Sequence, residues 1–370
     1  MLIHAERLVT ADEVHEPGLL RTEGNRVVDV GPWHSSGLGS GGSGRPDVEV
    51  GTLAPGLVDV HCHGGGGASF STDPVTAIEA HRRTGTTTQV ASLVTETYDD
   101  LEAQVRMLAP YVASGELAGI HLEGPWLAEE FHGAHPVALL RDPKWPKVER
   151  LLDAGPVKMV TIAVERTGGV EACRRIAARG VVAAVGHTNA DYETTVAALA
   201  AGASGATHLF NAMRPIHHRQ PGPIVALLAD PDAALELIVD GTHTHPALVA
   251  YIARTHPERV VLVTDAMAAA GAADGDYILG TLSVAVREGV ARIAGTNTIA
   301  GSTLTLSKAL ANAVAYGVDP LVAVRASTVR PARWLGLDAG DLRVGGRADA
   351  VVLDEDWAVT RVMRAGEWLA

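Results

Sequence analysis

The sequence predicts an α/β fold: a (β/α)8 barrel of the TIM type, with a small β-sandwich domain formed from both chain ends. Three observations predict it. Through the middle of the chain, eight short apolar runs alternate with stretches of helical spacing, the pattern of a parallel sheet covered on both faces. The two ends lack that spacing and read as short alternating strands. Imidazole and carboxylate side chains recur where the apolar runs stop, which is where such a barrel carries its site.

The eight runs are "GLVDV" (56–60), "TTTQVASLV" (86–94), "AGIHL" (118–122), "VKMVTIAV" (157–164), "GVVAAVG" (180–186), "GATHLF" (205–210), "LELIVD" (235–240) and "VVLVTD" (260–265). Between them lie "DPVTAIEAHRRTG", "YDDLEAQVRMLAPYVASG", "GGVEACRRIAARG", "NADYETTVAALAAG" and "HPALVAYIARTHP". Each has apolar residues at helical spacing and opens on Asp, Asn, Gly or Pro or closes on Gly or Pro. The barrel is assigned to 54–335, and the small β-domain to 1–53 with 336–370. Within that domain "LGSGGSGRPDVEV" (38–50) reads as a flexible loop. An inserted β-hairpin is expected at about 276–295.

Composition limits the function. With 47% hydrophobic and 20% charged residues, the 370-residue chain is globular and large enough for one barrel with insertions. A net charge of −13 argues against nucleic acid or an anionic membrane as partner. Two cysteines, Cys62 and Cys173, make no disulfide framework. No signal peptide or membrane span is visible, so a cytoplasmic protein is expected.

The chemistry starts in "VDVHCHGGGG" (58–67). Residues i and i+2 of a strand share a face, so His61 and His63 project side by side, with the glycine run expected to leave open space beside them. Cys62 points the other way and is left out as a ligand. At the other strand ends stand Glu123 in "HLEGPW", His187 in "GHTNAD", His208 and Asn211 in "THLFNAM", His243 in "DGTHTHP" and Asp265 in "VTDA". One histidine at a strand end is ordinary packing and one Asp an ordinary cap. His61, His63, His187 and His208 with Glu123 and Asp265, converging from five strands, read as a metal site, in zinc, iron or manganese chemistry. His245 remains open as a further ligand.

Taken together, "PGLVDVHCHG", "HLEGPW…GAHP", "VGHTNA", "THLFNAM", "DGTH", "VTDAM" and the C-terminal "VGGRADAVVLD" resemble the amidohydrolase superfamily and, within it, the N-acetylglucosamine-6-phosphate deacetylases. The resemblance implies hydrolysis of N-acetyl-D-glucosamine 6-phosphate to D-glucosamine 6-phosphate and acetate, in amino sugar catabolism and cell-wall recycling. It makes Glu123, His187 and His208 the metal triad and His61 and His63 the superfamily's histidine pair. One or two divalent metals per subunit are implied, zinc first and iron second, with Glu123 as the bridge. The lysine that bridges many relatives has no counterpart, since Lys144, Lys147, Lys158 and Lys308 are the only lysines and none ends a barrel strand.

Asp265 is implied as general base and then acid. His135, with Ala134, is implied at the acetamide as an oxyanion donor. Asn211, Ala212 and His243 are implied as substrate contacts. Arg219, in the cationic loop "MRPIHHRQPG" (213–222), is implied as a phosphate ligand reaching the neighbouring active site of a homodimer. Phe131 and His132 depart from the family pattern before "GAHP" and are expected to shape the mouth of the site. Rival readings are a deacetylase of N-acetylgalactosamine 6-phosphate, a cyclic-amide hydrolase of the lysine-bridged kind, and a non-catalytic scaffold, against which the complete ligand set counts.

Overall fold

The computed structural model describes residues 1–33 and 45–369. Eight parallel strands form a barrel: Leu57–Cys62, Thr86–Leu93, Gly119–Glu123, Val157–Ile162, Val182–Val185, Ala203–Ala206, Ala234–Ile238 and Val260–Val263, each bonded to the next in that order. The two edges meet through a parallel bridge between Cys62 and Ala266, where the Asp265 N–H donates to the His61 carbonyl at 2.8 Å.

Six of these strands stop short of their expected ends, and after three of them the chain turns through left-handed backbone. The sixth ends at Ala206 because His208 and Phe210 take φ of 29° and 79°, and the eighth ends at Val263 because Asp265 takes φ of 47°. The fifth is confined to Val182–Val185, and His187 beyond it has φ of 48°. L-residues leave the extended region at such angles, so the functional segments are turns and not strand ends.

The helices cover the barrel. Pro74–Arg82 is capped by Asp73, Tyr98–Ala113 by Thr97 and Tyr192–Ala200 by Asp191, each side chain accepting from a backbone N–H of the first turn. Inside the barrel, a buried polar layer lies beneath the site. His121 is held between Ser92 Oγ (2.9 Å) and Thr161 Oγ1 (2.8 Å), and Thr161 bonds Thr207 at 2.7 Å. Asp59 accepts from Thr264 Oγ1 at 2.6 Å, and burial pushes its carboxyl up to about 6.

The chain ends meet in one eight-stranded sheet. Val48–Pro55 pairs in parallel with Leu2–Val9 and antiparallel with Ala350–Leu353, which joins the N- and C-terminal segments. Ile3, Leu8, Leu20, Leu53 and Met363 form its buried core. The loop expected at 38–50 lies outside the described residues as far as 44.

The insertion differs from the expected hairpin. It is a three-stranded antiparallel meander, Gly275–Leu279, Leu282–Arg287 and Val290–Ile293. Leu279, Val284 and Val286 pack on Met267, Ala268 and Ala300, with Val94 and Ala134 against them, so the meander walls the carboxyl end of the barrel. The glycine run also differs: next to the histidines, at Gly64 and Gly65, it is tightly packed. Gly64–Gly65 pairs with Ala68–Ser69 in a tight hairpin, and a Cβ on Gly64 would lie 2.3 Å from the Ala68 carbonyl oxygen.

Candidate metal centre and active site

The carboxyl end of the barrel holds a cavity of about 310 Å³ whose floor is His63, Glu123, His135, His187, His208 and Asp265. His61 lies directly beneath them and is fully buried. Glu123 is the centre of the group. Its Oε1 is 3.2 Å from His187 Nε2 and 3.0 Å from His208 Nε2, while its Oε2 is 3.1 Å from His63 Nε2. Asp265 Oδ1 faces the histidine pair, 3.3 Å from His61 Nε2 and 3.1 Å from His63 Nε2.

Hydrogen bonding on the far side fixes what three of the rings present to the centre, whereas His208 Nδ1 has no partner among the described residues. His187 Nδ1–H donates to the Phe131 carbonyl at 2.8 Å, and His63 Nδ1–H to the Ser92 carbonyl at 3.2 Å. His61 Nδ1–H donates to Glu236 Oε2 at 3.1 Å. A carbonyl oxygen only accepts, so the proton sits on Nδ1 and a neutral ring turns a bare Nε2 inward. The Nε2 atoms of His61 and His63 are 3.2 Å apart, and those of His187 and His208 are 3.1 Å apart. Two lone pairs at that distance repel unless a cation or proton lies among them. The donor set is therefore built for a cation, and imidazole nitrogen with carboxylate oxygen is the chemistry of a zinc-type ion. Donor atoms of His61, His63, Glu123 and Asp265 all lie within 4.8 Å of one another, as do those of Glu123, His135 and His187.

His135 is distinguished from the other rings by its tautomer. The Thr95 backbone N–H donates to His135 Nδ1 at 3.3 Å, which leaves the proton on Nε2, pointing at the centre as a donor. Its Nε2 is 3.5 Å from Glu123 Oε2.

Charge follows from the same contacts. Burial works against a charged His63, but hydrogen bonding to Asp265 and Glu123 pushes it up to about 9. Burial likewise opposes charge on His61, and Glu123, Asp265 and Glu236 raise it well above the usual imidazole range. Burial drives His187 down to about 4. Burial disfavours ionised Asp265, yet His61 and His63 hold its carboxyl well below the usual carboxylate range. Glu123 is lowered in the same way, burial being outweighed by the surrounding histidines.

The local backbone is strained where these side chains need aiming. His187, His208, Ala212 and Asp265 all have positive φ, and cross-links hold them there: Thr188 N–H donates to the Ala212 carbonyl at 3.1 Å and Ser302 N–H to the Asp265 carbonyl at 2.7 Å. Gly133 of "GAHP" also has positive φ (57°), and a Cβ there would lie 3.0 Å from His187 Cε1. His132 donates to the His135 carbonyl at 2.9 Å, and Phe131 lines the cavity.

Ala134, Asn211, Ala212 and His243 line the cavity with the candidate ligands. His243 Nδ1–H donates to Asp240 Oδ2 at 2.7 Å. Arg219 does not line it: the side chain is exposed on its loop and donates to His218 Nε2 at 2.7 Å. His245 instead caps the helix Pro246–Thr255 by accepting from the Ala247 N–H. Cys62 is turned away from the histidine pair, with Sγ 3.3 Å from His81 Nε2. Sequence reading missed Thr95, Asp240 and Glu236. A signal existed for the last two: Glu236 is a carboxylate inside an apolar strand, and Asp240 stands three residues before His243.

The amidohydrolase family model matches residues 52–369. A barrel of eight parallel strands with this donor set at its carboxyl end, and a match over that span, make the chain a member of the amidohydrolase family. Its relatives narrow the position further. The crystal structure of N-acetyl-D-glucosamine-6-phosphate deacetylase from Mycobacterium smegmatis superimposes with a TM-score of 0.95 at 50% identity over 100% of both chains, and a mutant of that protein was solved in complex with N-acetyl-D-glucosamine-6-phosphate. The human N-acetylglucosamine-6-phosphate deacetylase is 38% identical over 388 residues, covering 99% of this chain and 91% of that one. An N-acetylgalactosamine-6-phosphate deacetylase of Escherichia coli O157:H7 is 35% identical over 334 residues, covering 87% and 88%. No helix among the described residues is long and apolar enough to cross a membrane.

Proposed function

We propose that the chain is a metal-dependent deacetylase that hydrolyses N-acetyl-D-glucosamine 6-phosphate to D-glucosamine 6-phosphate and acetate, in amino sugar catabolism and cell-wall recycling. The observation that carries this is the ring of inward-facing Nε2 atoms around Glu123 and Asp265 at the floor of a sugar-sized cavity. The similarity to deacetylases of this class supports the substrate.

Glu123, His187 and His208 would hold one divalent metal, and His61 and His63, sharing Glu123, a second. Zinc suits this donor set first and iron next. When bound, such a metal supplies Lewis acidity and lowers the pKa of water from about 16 to about 7. Asp265 is already ionised near neutral pH and faces the cavity, so it takes the proton of the attacking water and returns it to the leaving amine nitrogen. His135 donates its Nε2–H to the acetamide oxygen, beside Ala134. The amine departs as the C–N bond breaks, and acetate leaves with the water oxygen.

Asn211, Ala212 and His243 bind the sugar, with Asp240 fixing the His243 ring. Arg219 binds the 6-phosphate of the neighbouring subunit's substrate, which accounts for its exposure in its own chain and requires a homodimer. The free buried cysteines Cys62 and Cys173 fit a reducing, cytoplasmic setting, and the charge of −13 argues against nucleic acid or an anionic membrane as a general partner.

The test is acetate release from a panel of N-acetylated sugars. Turnover of N-acetylglucosamine 6-phosphate well above that of unphosphorylated N-acetylglucosamine supports the assignment. Preference for the galactosamine epimer would move it to the activity named for the E. coli relative, and no acetate from any of them would refute it.

A further inference from the structure

Glu236 lies in the middle of the seventh barrel strand, between Leu235 and Leu237, and is fully buried. A carboxylate costs several kcal/mol to bury even after relaxation, and apolar replacements are often no less stable, so its presence asks for a cause outside packing. Its contacts are specific. Oε2 accepts from His61 Nδ1–H at 3.1 Å and from the backbone N–H of His208 at 2.9 Å. No group among the described residues donates to Oε1. The carboxylate is thus spent on two candidate ligands of the metal centre, one from each of its halves.

Its two donors are not held equally. The rings of His63 and His187 rest on neutral carbonyls, whereas His61 rests on a carboxylate. A carboxylate behind an imidazole fixes its tautomer and orientation and raises the basicity of its inner nitrogen. At His208 the same oxygen touches only the backbone, where it helps hold a residue with φ of 29°.

We infer that Glu236 is a positioning residue for the second metal: it fixes His61 with Nε2 towards Glu123 and Asp265, and it serves the first metal only through the turn at His208. The inference rests on the two-metal centre proposed above. It also predicts an asymmetry. Removing the charge weakens the metal held by His61 and His63 and leaves the metal held by Glu123, His187 and His208 nearly intact.

The experiment compares the wild-type chain with Glu236→Gln and Glu236→Leu, each stripped with chelator and titrated with zinc against a competing chelator, with thermal unfolding of the stripped proteins measured alongside. Glutamine keeps an acceptor oxygen for both N–H groups and loses only the charge, so it guards against a variant that fails to fold. In Glu236→Gln the second zinc should bind about 10–100-fold more weakly, the range typical of such outer partners, while the first changes by less than about threefold. Glu236→Leu should lose the second zinc altogether. Unchanged affinity for both metals in Glu236→Gln overturns the inference, as does equal weakening of both. A wild-type chain that takes up only one zinc overturns the two-metal centre itself, which is read before any variant is compared.

Discussion

Asp265 Oδ1 lies 3.1 Å from His63 Nε2, and the same oxygen is 3.3 Å from His61 Nε2 at the floor of the cavity. In the metal-free chain these two histidines favour the ionised carboxyl despite burial, and a bound cation would do the same when the rings are bare. Asp265→Asn keeps the shape and removes the basicity. It should lower kcat by about 10²–10⁴-fold while KM changes little and the metal at Glu123, His187 and His208 is retained. Steady-state acetate release with metal analysis of the same sample checks this. A variant retaining more than about a tenth of the activity would deny Asp265 the proton-transfer role, given the usual size of such effects.

The candidate ligands should separate into two classes. His187→Ala or His208→Ala removes a donor within 3.2 Å of Glu123 Oε1 and should abolish bound metal and activity together. His61→Ala or His63→Ala should leave one metal and part of the activity. Metal counted per chain in the four variants decides the matter, and identical losses in all four would contradict the hierarchy.

Metal uptake should release protons. Without metal, His63 is protonated up to about 9, above the ordinary value of 6.5. That raised value contributes stability fully present below pH 6.5 and lost as pH rises through about 9. Metal needs the bare ring, so its contribution runs the opposite way. The gap in Tm between loaded and chelated protein should therefore widen from pH 6.5 to 9. Calorimetric titration near neutral pH in two buffers of different ionisation enthalpy should show net proton release, and identical heats in both buffers would count against it.

Much of the fold and of this centre was legible in the sequence, because barrel geometry converts strand periodicity into position. The spacing of His61 and His63 put two imidazoles on one face, and Glu123 ends its strand. Other features depend on contacts distant in sequence. The turns at His208 and Asp265 are imposed by cross-links to other strands, and these override the extended preference of "GATHLF" and "VVLVTD". "GDYILGTLSVAVREGVARI" shows one clear turn at Gly280, and the second at Glu288–Gly289 is what makes a third strand. Gly64 and Gly65 after His63 are tight-packing residues, which composition cannot distinguish from an open loop. Glu236 was visible as a charge in an apolar strand, but its partner His61 is 175 residues away.

Arg219 offers a planar fork of donors suited to phosphate oxygens, which lysine does not reproduce. Arg219→Ala should raise KM sharply for the phosphorylated sugar and leave the unphosphorylated one nearly unchanged. Because the side chain stands away from its own cavity, activity should partly return when Arg219→Ala and Asp265→Asn chains exchange subunits. Some mixed dimers then pair an intact Asp265 with a neighbour's Arg219. No recovery under conditions that exchange subunits would assign the arginine to its own chain or to no site.

The most direct measurement is the rate of acetate release from N-acetylglucosamine 6-phosphate as zinc is returned, in counted equivalents, to the fully chelated enzyme. Activity should be near background without metal and should reach its plateau by two equivalents per chain, with the first restoring a substantial part. A chelated chain that carries no metal yet hydrolyses the substrate at the loaded rate would contradict a metal-dependent deacetylase at this site.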